Sequence, residues 1–322
     1  MDNKDNLAFV FPGQGSQRVG MLAELAARYP VVEQTFAEAS EVLGYDLWRL
    51  VQEGPEEALA LTERTQPMLL AASTAVWRVW NERGGARPAW LAGHSLGEWS
   101  ALVAAEVVDF PAAVQLVRLR GAYMQEAVPP GEGAMAAVMG VAEEEVERVC
   151  AEVAGDQVVA AVNYNSPGQV VIAGHAPAVA RALEALRAAG ARRAVPLPVS
   201  APFHTSLMRP AAERLAREVR ATPFRAPRIP VIHNVHAAPE ADPEAIKELV
   251  IEQIHRPVLW VDCVRALAER GVEILVECGP GRVLQGLVRR IDRSLAAYAA
   301  DEPAALEEAL GAVCETLGEG NE

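Results

Sequence analysis

The pentapeptide Gly93-His94-Ser95-Leu96-Gly97 constrains this chain more than any other feature, because of what stands on either side of it. Residues 89–92 read as a short apolar strand, and an alanine-rich helical stretch follows Gly97. A backbone that leaves a strand and enters a helix within so few residues must bend tightly. Side chains crowd such a bend, so glycines flank the central serine and its hydroxyl projects from the sheet edge. Other strand-like runs stand at residues 7–11, closed by Pro12 and Gly13, and at 229–232 and 274–277. Helical patterns lie between them, at 21–39 and at 67–83, where Pro67 suits a first helical position and Gly84-Gly85 a stop. Strand alternating with helix implies a parallel sheet covered on both faces.

The middle of the chain has a different rhythm. Residues 134–141 read as a strand and 142–154 as a helix with acidic residues in its first turn. Residues 158–162 and 169–173 form a strand pair across turn residues 163–168, followed by a helix at 177–189 and a strand at 193–198. That order, β-α-β-β-α-β, is the split ferredoxin-like pattern, compact enough to sit as an insert. Pro129-Pro130-Gly131 before it and Pro196 with Pro198 after it are candidate hinges. The fold expected is therefore an α/β-hydrolase-like core with a parallel sheet, spanning residues 1–128 and 199–322, with a ferredoxin-like (βαββαβ) small subdomain at 129–198. The tail at 318–322 is expected to fray.

Bulk properties exclude several functions. The chain has 322 residues, enough for a sizeable core, and it is 51% hydrophobic and 22% charged, as ordinary globular proteins are. No apolar run approaches the ~18 residues of a membrane span. The polar start, Met1-Asp2-Asn3-Lys4-Asp5-Asn6, does not resemble a secretory signal, so a cytoplasmic location is expected. A net charge of −14 opposes binding to nucleic acid or to an anionic membrane. Cys150, Cys263, Cys278 and Cys314 are scattered and form no disulfide or metal pattern. His233 and His236 lack companion ligands, so no metal is expected either.

Ser95 at such a bend is a candidate nucleophile, and the Leu96 N–H at the start of the following helix is placed to stabilise an oxyanion. A serine hydroxyl needs a base within hydrogen-bond reach. His94 adjoins it on strand-like backbone that points its ring elsewhere, toward packing. His204 follows Pro198-Val199-Ser200-Ala201-Pro202-Phe203, a loop returning to the main sheet beyond the insert, and is the candidate base. Asp109 and Asp156 are the aspartates between Ser95 and His204, and neither is convincing as a triad acid. The loop Gly13-Gln14-Gly15-Ser16-Gln17-Arg18 fails the dinucleotide fingerprint, since its third glycine would fall on Arg18. It reads instead as backbone that closely approaches a reacting group.

Phe11-Pro12-Gly13-Gln14-Gly15-Ser16-Gln17, Gly93-His94-Ser95-Leu96-Gly97-Glu98, Asn165-Ser166-Pro167-Gly168-Gln169 and Gly279-Pro280-Gly281 stand in the order seen in malonyl-CoA:acyl carrier protein transacylases. The chain resembles that family along its whole length, in the free-standing bacterial form of fatty-acid synthesis. The resemblance implies transfer of malonyl from malonyl-CoA to the phosphopantetheine thiol of an acyl carrier protein. It implies Ser95 as acylated nucleophile, His204 as base, and the Gln14 and Leu96 backbone N–H groups as oxyanion hole. It implies that the Gln253 backbone carbonyl orients His204 and that Arg120 grips the substrate carboxylate, a role suited to a guanidinium. Phe203 resembles the residue associated with malonyl over methylmalonyl selection, because an aromatic ring leaves little room for an α-methyl. Trp99 departs from the tyrosine of many relatives. No cofactor is implied, and a monomer is expected. Alternatives are a trans-acting acyltransferase of a polyketide pathway, a serine thioesterase or esterase, or a non-catalytic carrier scaffold. For carrier docking, Arg192-Arg193 and Arg282 with Arg289-Arg290 are the basic candidates.

Overall fold

The structure is a computed structural model that describes residues 3–199 and 201–315; the tail expected to fray lies outside them. Its strands are β1 (Asn3–Phe11), β2 (Arg87–Gly93), β3 (Gly133–Met139), β4 (Val159–Ser166), β5 (Gln169–His175), β6 (Arg193–Pro196), β7 (Val231–Ile232), β8 (Ile274–Glu277) and β9 (Ala296–Ala299). They make two sheets. One has the order β7-β2-β1-β8-β9, with every pairing parallel. The other has the order β4-β5-β3-β6, with every pairing antiparallel.

Strand β1 explains the larger layer. Leu7, Phe9 and Phe11 point to one side and join the main core, while Ala8 and Val10 point to the other and join a second cluster. A strand apolar on both faces belongs at the centre of a sheet with helices on each side, and β1 lies there between β2 and β8. On the first face, Phe9 meets Trp77 and Trp80 edge-on at centroid separations of 5.3 and 4.9 Å. Such pairs add roughly 0.5–1.5 kcal/mol beyond burial itself.

Both tryptophans belong to helix Thr62–Glu82, which begins five residues before the position expected from Pro67. Pro67 sits inside the helix, where it cannot donate to the Glu63 carbonyl. The single helix expected at 21–39 is two, Ala23–Ala26 and Val31–Leu43, separated at Pro30.

In the smaller sheet, β4 continues to Ser166, and the turn to β5 is only Pro167-Gly168. Register shifts at Ala161/Asn163 and Tyr164/Ser166 let the strand run through residues expected to be loop. Helices Glu143–Ala154 and Ala176–Ala188 pack on this sheet around Val146, Val149, Val170, Ile172 and Leu186. The spatial order, fourth-first-third-second strand of the unit, is the ferredoxin-like arrangement inserted into an α/β core. Main chain joins the two lobes: Val258 N–H donates to Val162 O at 2.8 Å, and Tyr164 N–H to Val258 O at 3.1 Å.

Candidate active site

In a parallel sheet the loops after the strands gather along one edge, where ligands bind. Here β1, β2 and β7 are adjacent, with Phe11 opposite Gly93 and Ala92 opposite Ile232. The loop carrying Gln14, the turn carrying Ser95 and the segment carrying Asn234 are therefore neighbours. Gly13 is required at that crossing: a Cβ there would lie 2.5 Å from the His94 carbonyl oxygen. The Gly279-Pro280-Gly281 motif packs against Pro12 and Ser16, supporting the same loop from behind.

Ser95 occupies the left-handed region, at φ 51°, as the tight bend requires. Its N–H donates to Asn234 Oδ1 at 2.8 Å, while Asn234 Nδ2 donates to Gly93 O at 2.7 Å, so one side chain clamps both ends of the turn. Ser95 Oγ lies 2.8 Å from His204 Nε2, and His204 Nδ1 lies 2.8 Å from the Gln253 carbonyl oxygen. A carbonyl only accepts, so Nδ1 carries the ring proton and Nε2 presents its lone pair to the serine O–H. Among the described residues no carboxylate is bonded to the His204 ring. Asp109 is at the surface, bonded to Arg225, and Asp156 is exposed in a turn of the small lobe.

His204 is buried and also left-handed, at φ 64°. Burial first, and then the positive charge of Arg120, push its pKa down to about 3. Arg120 is 1% exposed. Its Nη2 donates to Ser95 Oγ at 3.3 Å and to Gln253 Oε1 at 2.9 Å, and its Nη1 to Gln66 Oε1 at 2.9 Å. Burial lowers its pKa to about 10, with Glu98 opposing, so it remains cationic at neutral pH. Among the described residues this buried cation has no direct counter-ion, a costly arrangement of the kind that clusters at functional sites.

Gln14, Leu96, Phe203, Ser95, His204 and Arg120 line one pocket of about 120 Å³, together with Gln66, Met124 and small-lobe residues Met135 and Asn163. Among the described residues no hydrogen-bond acceptor takes the Gln14 or Leu96 N–H. His94 lines this pocket too: its Nε2 meets Asn165 Oδ1 at 2.8 Å, linking the serine turn to the small lobe, and burial lowers its pKa. Trp99 is fully buried and edge-on to Phe224 at 6.4 Å.

Three residues of the site were assigned no role from the sequence. Glu98, fully buried, accepts from His233 Nδ1 at 2.7 Å, Asn234 N–H at 3.0 Å and Gln253 Nε2 at 2.8 Å. Its place within the serine motif was a signal; Gln66 and Asn234 offered none. Of the cysteines, Cys150, Cys263 and Cys278 are buried and Cys314 is exposed, all as free thiols. Among the described residues no helix is long and apolar enough to cross a membrane.

The acyl transferase domain family matches residues 8–313. The malonyl CoA-acyl carrier protein transacylase of Salmonella typhimurium is 57% identical over 303 residues, covering 94% of this chain and 98% of its own. The crystal structure of an acyl carrier protein S-malonyltransferase from Vibrio cholerae O1 biovar eltor superposes with TM-score 0.93 at 57% identity, over 94% of this chain and 99% of that one. A malonyl-transacylase in complex with a holo type II PKS acyl-carrier protein gives TM-score 0.94 at 56% identity, over 95% and 99% of the two chains.

Proposed function

We propose a residue-level mechanism from one premise: this chain belongs to the malonyl CoA-acyl carrier protein transacylases of the acyl transferase family, and it moves malonyl from CoA to the phosphopantetheine thiol of an acyl carrier protein in fatty-acid synthesis. The observation that supports the assignment of residues best is the continuous chain Ser95 Oγ, His204 Nε2, His204 Nδ1, Gln253 O, with 2.8 Å at each hydrogen bond.

In the first half-reaction His204 Nε2 takes the serine proton as Oγ attacks the malonyl thioester carbon. The tetrahedral oxyanion is received by the Gln14 and Leu96 N–H groups. The C–S bond breaks, and the CoA thiolate takes the proton back from His204. In the second, the carrier thiol gives its proton to His204 and its sulfur attacks the acyl-serine carbon. The C–O bond breaks and Oγ recovers the proton. The Gln253 carbonyl fixes the ring tautomer throughout, in the place a triad acid would fill. Loss of one oxyanion donor in such sites costs about 10²–10³-fold in rate, so the Gln14 loop contributes substantially beside the base. The cycle calls for no metal or redox group.

Arg120 binds the free carboxylate of the malonyl group, and Phe203 closes the space beside its α-carbon. A hydrolase of neutral acyl esters would need no buried cation beside its nucleophile. The relative seen with its carrier supports a carrier partner here, and this chain is taken to meet it as a cytoplasmic monomer. Brief exposure of the intact protein to malonyl-CoA, followed by mass spectrometry, should add one malonyl group, and Ser95→Ala should abolish it. Retained labelling would place the nucleophile elsewhere.

A further inference from the structure

The Arg120 guanidinium is held on two sides by neutral amides. Gln66 Oε1 accepts from Nη1 and Gln253 Oε1 from Nη2, each at 2.9 Å, and both glutamines are buried. Among the described residues Arg120 forms no ion pair, and the carboxylate of its network, Glu98, stands one residue further away. Glu98 Oε2 accepts from Gln253 Nε2 at 2.8 Å, and the same NH₂ group donates to Ser95 O at 3.0 Å. This fixes the direction of the amide. Reversed, it would set its oxygen against a carboxylate and its N–H groups against a guanidinium, which has only donors.

The choice of an amide has a chemical consequence. A carboxylate at either position would also satisfy the guanidinium N–H groups, but it would cancel their charge inside a poorly screened interior. An incoming carboxylate would then meet a neutral pair. An amide satisfies the same donors and leaves the charge intact.

We propose that Gln66 and Gln253 are positioning residues for acyl-group selection: their two neutral side chains hold Arg120 beside Ser95, keep it apart from Glu98, and reserve its charge for a carboxylate-bearing acyl group. This rests on the reading of Arg120 as the carboxylate grip. For Gln253 it adds a side-chain role to the one its backbone carbonyl has toward His204.

The test uses the full chain and measures acyl-serine formation from malonyl-CoA and from acetyl-CoA, which lacks the carboxylate. Gln66→Glu should lower the malonyl-to-acetyl ratio of kcat/KM by about 100-fold, chiefly through the malonyl KM, because it places an opposing charge in contact with the grip. Gln66→Leu, which removes one hydrogen bond and adds no charge, should lower it by about tenfold or less. Gln253→Glu should lower the ratio in the same direction, with an added loss shared by both acyl groups because its carboxylate would also face Glu98, and it covers the case in which Gln66→Glu fails to fold. Equal losses for both acyl groups, or equal effects of Glu and Leu at position 66, would overturn the proposal. Arg120→Ala separates the two levels. If it leaves the ratio unchanged, the grip itself is wrong; if it collapses the ratio while both Glu variants preserve it, only the amide proposal fails.

Discussion

His204 works in surroundings that oppose its protonation twice, by removing water and by placing Arg120 within reach. Its folded pKa of about 3 lies below the ordinary imidazole value of 6.5. The sign follows directly: as pH falls through 6.5 the unfolded chain takes up this proton and the folded chain does not. The group therefore withdraws stability progressively from about pH 6.5 to about 3. For the proposed base role the same depression keeps the Nε2 lone pair available in acid. Single-turnover acylation by malonyl-CoA should change less than about twofold between pH 8 and pH 5.5. A tenfold fall centred near 6.5 would show that the ring titrates as a solvated histidine. Both residues of the dyad hold left-handed backbone, which costs a non-glycine residue about 1–3 kcal/mol, and the surrounding hydrogen bonds hold them there.

At the scale of elements, the nucleophile turn depends on how closely helix Gly97–Ala104 approaches β1. A Cβ on Gly97 would lie 2.0 Å from the Phe11 carbonyl oxygen, a backbone atom of the central strand that cannot yield cheaply. Gly97→Ala should therefore cost about 3 kcal/mol or more, read as a drop in the urea midpoint. Gly286 is the contrast: it is helical, with nothing within 4 Å of its Cβ position. Gly286→Ala should raise stability by about 0.5–1 kcal/mol in the same assay. The sequence made this turn readable because strand, glycines and helix are contiguous, and the β-α-β-β-α-β order of the insert was readable for the same reason. Boundaries set by non-local contacts were not. Pro67 marked a start that the buried face of helix Thr62–Glu82 overrode, and β9 exists because β8 offers it a parallel edge. Gln66 and Asn234 escaped notice for a related reason, since each acquires its role from partners 54 and 139 positions away.

Over the whole molecule the charge is −14, so an acidic carrier would have to be met by local positive patches. Arg282 is already bonded to Glu302, and Arg290 donates to Gln169 across the lobes. Arg192 and Arg193 are exposed and, among the described residues, form no ion pair. Arg192→Glu with Arg193→Glu should slow transfer to the carrier about tenfold at low salt while leaving acylation by malonyl-CoA unchanged. An equal rate of carrier loading would move the dock to another face. The contacts of Val258 with Val162 and Tyr164 carry a longer consequence. Because peptide groups stitch that seam, its closure does not depend on which side chains stand nearby. Phe203 and Met135 line the cleft through side chains alone, so a substitution at either leaves both of these peptide hydrogen bonds available.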